Sequence, residues 1–171
     1  RGQFSLVPVE GGSFTLQAGS PDYFRVAGTR IVRGRGFSDE DRAGAPPVVV
    51  VSQTMARTLW PGQEALGKCL RMAAPDGPCI AVVGIAEDIK QNSLMADGGR
   101  HYYLPIAQYH PEAAVLFARS RGAAGELAET LRRSLQPLMP GDAYVTVTPM
   151  ADIVGPGMRS WQLGATMFVA F

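Results

Sequence analysis

Four consecutive valines, Val48 to Val51, followed by Ser52, constrain this chain more than any other stretch. A strand sends alternate side chains to opposite faces, so an uninterrupted apolar run leaves no face for water. The run reads as a buried strand, 48–52. Ser52 then stands where a helix N-cap belongs, and "QTMARTLWPG" supplies a helix ended by Pro61-Gly62. A buried strand feeding directly into a helix requires a sheet with helices packed on it.

Other stretches extend that layout. "QFSLVPVEGGSFTLQAGS" holds two β-like runs around Glu10-Gly11-Gly12, the pattern of a hairpin. "SPDYFRVAG" reads as a short helix with Ser20 as N-cap, Pro21 at the first position and Gly28 as C-cap. Its anchors are Tyr23, Phe24 and Val26. "EALG" adds a helical turn, and "KCLRM" and "CIAVVGIAEDI" are strands around the turn "AAPDGP". "HYYLPIAQ" reads as a short edge-like segment. The Asp39-Glu40-Asp41 run reads as a solvated turn. In the last third, strands at 113–120 and 142–150 flank an amphipathic helix with Leu127, Leu131 and Leu135 on one face, a βαβ unit. Thr148-Pro149 then caps a further helix. A lobe boundary falls near 105–112. The fold class is α+β, in two lobes.

The chain has 171 residues, enough for one domain or two small lobes. Only 18% are charged and the net charge is +1, so no basic stripe marks a nucleic-acid partner. The start, Arg1-Gly2-Gln3-Phe4, carries no signal-peptide pattern, and the chain reads as a piece of a longer protein.

No motif carries catalysis. "GQEALGKC" nearly matches a phosphate-binding loop, but such a loop follows a strand and opens a helix. Here a helix precedes and a strand follows, and Cys69 stands where the metal-binding hydroxyl belongs. His101 and His110 lack the spacing of a zinc site and read as surface or edge residues. Glu87 and Asp88 are adjacent on a strand, so their side chains diverge. No cofactor or metal motif is present.

Cys69 and Cys79 flank "LRMAAPDGP". If 68–72 and 79–83 pair as a hairpin balanced about Ala74, the two thiols face each other, which favours a disulfide and an oxidising compartment. Two free thiols or a metal pair are the alternatives.

The final "WQLGATMFVAF" is uncharged. A bilayer span needs roughly 20 apolar residues, and Arg159 and Trp161 are residue types that sit at a membrane boundary. A transmembrane helix starting near Trp161 and an amphipathic helix packed on the domain both fit this pattern.

The long block from Ser20 to Met72 closely resembles the extracytoplasmic core domain of MacB-like, FtsX-type ABC transporter permeases. The matching residues are Ser20-Pro21-Asp22-Tyr23-Phe24, Arg33-Gly34-Arg35-Gly36-Phe37, Val48 to Val51 with Ala56-Arg57, Trp60-Pro61-Gly62 and Gly67-Lys68. Val82 to Lys90 and the "YYLP" at 102–105 continue it. Ser52-Gln53 departs from the family's usual Val/Ile-Asn. The resemblance implies a non-catalytic periplasmic domain of an inner-membrane permease. Residues 1–110 would form a mixed α/β (Sabre-like) lobe, 111–150 an incomplete porter-like βαβ half, and 151–171 a stalk and the start of a transmembrane helix. It implies a cytoplasmic ABC ATPase acting through the membrane helices, a permease dimer, and room for a partner on the periplasmic side. A secreted ligand-binding module or extracellular enzyme is the alternative. The resemblance favours the membrane reading of the tail and leaves the transported substrate open.

Overall fold

The computed structural model describes residues 14–72, 77–89, 99–111 and 115–155. The chain divides into two compact units, 1–117 and 118–171.

In the first unit a six-stranded mixed sheet runs in the order β1-β6-β3-β5-β2, with β4 also on β5. The strands are β1 (Phe14–Gly19), β2 (Ile31–Gly34), β3 (Val48–Ser52), β4 (Cys69–Leu70), β5 (Ile80–Ala86) and β6 (Arg100–Pro105). β3 runs parallel to β5 and antiparallel to β6, and β6 runs parallel to β1.

The valine run is buried throughout because both faces of β3 are covered. Val49 and Val51 pack with Met55 and Ala56 of α2 (Gln53–Leu59), joined by Val82, Ile85 and Leu104. Val48 and Val50 face the other way, onto Phe24, Phe37 and Tyr103. Each buried valine contributes about 1.5 kcal/mol before conformational entropy is counted. Ser52 caps α2 as expected, its hydroxyl oxygen accepting from the Met55 N–H at 3.2 Å.

The helix α1 (Tyr23–Ala27) begins later than the sequence suggests. Asp22, not Ser20, is its N-cap, and Ser20 instead closes the preceding turn through its carbonyl. Gly28 ends the helix at φ +76°, where glycine avoids the Cβ clash of the left-handed region. Phe24 is the buried anchor, with Tyr23, Phe37 and Tyr103 around it at ring separations of 5.0–5.4 Å.

Three further expectations change. The strand at "HYYLP" is internal, between β1 and β3, because the run after Gly12 pairs with it in parallel register. The stretch "EALG" forms a turn closed by Lys68 N–H to the Ala65 carbonyl at 3.1 Å, with Ala65 itself in the core. The first run of the expected N-terminal hairpin lies outside the described residues.

The second unit contains α3 (Ala124–Leu135), a 3-10 turn at Gln136–Leu138, and a helical turn over 150–155. Leu127, Leu131 and Leu135 are half-buried, as their spacing predicts. The flanking strands do not form among the described residues: 115–120 and 143–149 have no ladder pairing, and Val115, Leu116 and Tyr144 stand exposed. Strand propensity alone does not hold a segment extended, since a strand is stabilised by its neighbours. What fixes 143–145 is the Gln136 amide, which donates to the Ala143 carbonyl at 2.8 Å and accepts from Val145 N–H at 3.0 Å.

Candidate functional site

The sequence places its chemistry-bearing residues on the first unit, and the fold uses most of them to hold itself together. Glu87 and Asp88 follow β5 and diverge, as adjacent strand positions should. Glu87 accepts from the Arg30 N–H and guanidinium, at 2.8 and 2.9 Å. That pairing holds its carboxyl below the usual range, with the Arg30 backbone the larger cause. Asp88 accepts from the Thr54 N–H and hydroxyl, each at 2.8 Å, and from Arg57 at 3.1 Å. Neither carboxylate is left over for acid–base work.

The near phosphate-loop stretch sits between α2 and β4, with Gly62 and Gly67 both at positive φ. Its backbone turns rather than opening a helix onto a ligand. Lys68 Nζ donates to Gln63 Oε1 at 3.1 Å. The same stretch borders an open groove of about 480 Å³ between β2 and α2, lined by Arg33, Gln53, Arg57, Trp60, Gln63 and Glu64. Arg33 and Glu64 form an ion pair there. No nucleophile with an adjacent base lines it, so the groove offers contact surface rather than bond chemistry. Among the described residues, no three His, Cys, Asp or Glu side chains converge as metal ligands.

Two residues differ from their sequence reading. Asp41 is not in a solvated turn; it is 5% exposed. Its carboxylate takes two hydrogen bonds from Arg35, at 2.7 and 2.9 Å, and others from Ser38 N–H and Oγ, at 2.8 and 3.3 Å. A charge run says nothing about which member turns inward; the signal available was Arg35 six positions upstream of Asp41. His101 is not a surface residue either. It is 2% exposed, on the face of β6 that Tyr103 shares, whereas His110 is exposed.

Cys69 and Cys79 form a disulfide with Cα atoms 5.2 Å apart. The register differs from the expected one: Cys69 pairs with Ala81 and Leu70 with Ile80, so the hairpin is centred one residue later than position 74. Cys79 therefore lies two positions before the partner of Cys69. An offset of two keeps both side chains on one face of the pleat, so the bridge closes diagonally. Reduction, or the double change Cys69→Ala/Cys79→Ala, is expected to cost about 2–3 kcal/mol in the loop-entropy model. Urea unfolding with and without reductant measures it; equal midpoints would remove the bridge from the stability account.

Arg159 and Trp161, the expected membrane-interface residues, and the apolar run after them lie outside the described residues. No helix among the described residues is long and apolar enough to cross a membrane.

These features define a mixed α/β scaffold covered on both faces, stapled by a disulfide and grooved between β2 and α2. The family model of the MacB-like periplasmic core domain matches residues 3–153, and the chain belongs to that family. Its place is thus the periplasmic or extracellular region of a membrane-embedded ABC transporter permease. A curated relative is the "Probable syringafactin export ATP-binding/permease protein SyfD" of Pseudomonas syringae pv. syringae (strain B728a). It is 32% identical over 94 residues, covering 54% of this chain and 14% of that protein. The periplasmic region of MacB from Actinobacillus actinomycetemcomitans superposes with a TM-score of 0.54 at 18% identity, covering 77% of this chain and 61% of that one. The extracellular domain of the noncanonic ABC-type transporter YknZ from Gram-positive bacteria gives 0.57 at 18% identity, covering 81% and 71%. These two likenesses show the fold.

Proposed function

We propose that this chain is the non-catalytic periplasmic part of an inner-membrane ABC permease that carries ATP-driven movement from the cytoplasm to work outside it, by efflux or mechanotransmission. The observation that carries this reading is the family match across 3–153. The relative SyfD, named for export and as both ATP-binding and permease protein, supports an efflux direction and a cytoplasmic ATPase as partner. On this reading 1–110 forms the mixed α/β lobe, 111–150 the porter-like half, and 151–171 a stalk leading into a membrane helix, with Arg159 and Trp161 at the interface. The permease works as a dimer, and the open groove beside Trp60 gives a periplasmic partner a surface to meet. The disulfide fits an oxidising compartment.

Deleting 14–155 in the intact transporter tests the role. Export should fall to background while basal ATP hydrolysis in the purified complex stays within about twofold, because a rate difference under one kcal/mol marks an intact catalytic centre. Export at the normal rate without the domain would refute the reading.

A further inference from the structure

His101 is a buried base on β6. Neither ring nitrogen has a hydrogen-bond partner among the described residues. The backbone at Gly99 presses against the ring so closely that a Cβ there would lie 2.7 Å from Nε2. The His101 main chain is tied down: its N–H donates to Ser52 Oγ at 3.1 Å. The Ser52 hydroxyl donates in turn to the Gly99 carbonyl at 3.2 Å and accepts from Met55 N–H at 3.2 Å. One hydroxyl thus joins the start of β6 to the start of α2, with every bond it can make in use.

We propose that His101 is a proton-operated latch, holding the starts of α2 and β6 together while its ring is neutral and releasing both when the ring takes up a proton from the medium. A neutral imidazole fits this buried slot. A neutral ring has one N–H, with the Ile89 backbone as the acceptor near it; an imidazolium has two N–H donors and a charge to satisfy, and no hydrogen bond of normal geometry reaches either nitrogen.

The charged group that acts on the ring is Asp88 after β5, which itself holds Arg57 of α2; Tyr103 shares the ring's face of β6 and has Tyr23 of α1 beside it. Asp88 and the Ile89 backbone would favour the new charge, but the Asp88 oxygens already serve Thr54 and Arg57. Relief therefore requires the ring to leave the slot, or Asp88 to leave the first turn of α2. Either movement strains the Ser52 tie. Because Gln53, Arg57 and Trp60 line the groove, release of α2 would also reshape that surface.

Burial lowers the proton affinity of the ring, and the opposing pull of Asp88 and the Ile89 backbone does not overcome it. The sign follows: the unfolded or released chain binds the proton more tightly than the latched one. The latch is therefore fully engaged above pH of about 6.5, the ordinary histidine value, and weakens as pH falls below it.

Hydrogen exchange on the intact protein tests this. At Met55 and His101 the opening equilibrium, taken as exchange rate over intrinsic rate, should rise up to about tenfold per pH unit below pH 6.5. In His101→Phe it should be flat between pH 7 and 5. NMR titration of the wild-type ring needs no variant and should give a midpoint below 6.5. Unchanged protection between pH 7 and 5, the same pH dependence in His101→Phe, or a ring midpoint at or above 6.5 would each overturn the latch.

Discussion

Gly84→Ala is expected to cost about 4 kcal/mol or more, and to lower Tm by about 10 °C or more for a chain of this size. A Cβ at Gly84 would lie 2.1 Å from the Arg35 carbonyl oxygen and 3.1 Å from its carbon. Both are backbone atoms, so no side chain can turn aside. The chain leaving β2 crosses β5 here, held by Arg35 N–H to the Val83 carbonyl at 2.9 Å. The β3–β5 register slips at the same place, Val49 facing Val82 and Val50 facing Gly84. Extra volume must therefore part three segments at once. Two controls separate this collision from ordinary glycine effects. Gly44, at φ +83° with nothing within 4 Å of a Cβ, should cost only about 1 kcal/mol as alanine. Gly122, in open space, should be near neutral. Thermal and urea unfolding of the three variants decides the matter. A Gly84→Ala cost no larger than that of Gly44→Ala would show that the crossing has slack.

Asp41→Asn is expected to destabilise by about 3 kcal/mol at pH 7, the lower end for a broken buried ion pair, because Arg35 is half exposed. The substitution keeps the shape but removes the charge that binds both Arg35 nitrogens and the two Ser38 donors. The effect depends on pH with a definite sign. The Arg35 guanidinium holds the Asp41 carboxyl below its ordinary range, against the opposing effect of burial and with help from Ser38. Its stabilisation is present above pH of about 4 and is lost as pH falls through the lowered folded value. The gap between wild type and Asp41→Asn should therefore narrow on acidification from pH 5 to pH 2, measured by urea unfolding at each pH. A gap that stays constant down to pH 2 would place the loss in packing rather than in the charge.

The Arg35–Asp41 clasp and the Gly84 crossing meet at Arg35, and together they fix the loop that carries Phe37 into the core beside Phe24. The block Arg33 to Phe37, one of the stretches that resemble the family, is therefore a packing device. Its glycines let chain segments touch, its second arginine anchors an acid, and its phenylalanine fills the core.

Local rules, acting over a few residues, were enough for much of this architecture. Val48 to Val51 determined a strand buried on both faces, since no placement of that run exposes a polar edge. Ser52 determined where α2 starts, Gly28 where α1 ends, and the leucine spacing in 124–135 the inward face of α3. The order helix, then Gly62 to Lys68, then strand was also legible from the sequence. Other outcomes depended on which partners the fold brings together. β6 became internal only because β1 pairs with it, and His101 became buried with the Gly99 backbone against its ring. Asp41 turned inward because Arg35 reaches back to it across a turn. The cysteines bridge diagonally because β4 and β5 pair one residue beyond the symmetric register. Residues 115–120 and 143–149 have strand-like composition, yet without a neighbouring strand among the described residues their backbones form no ladder. Pattern sets which face a residue prefers, while burial and pairing are settled by whichever segment the fold brings alongside.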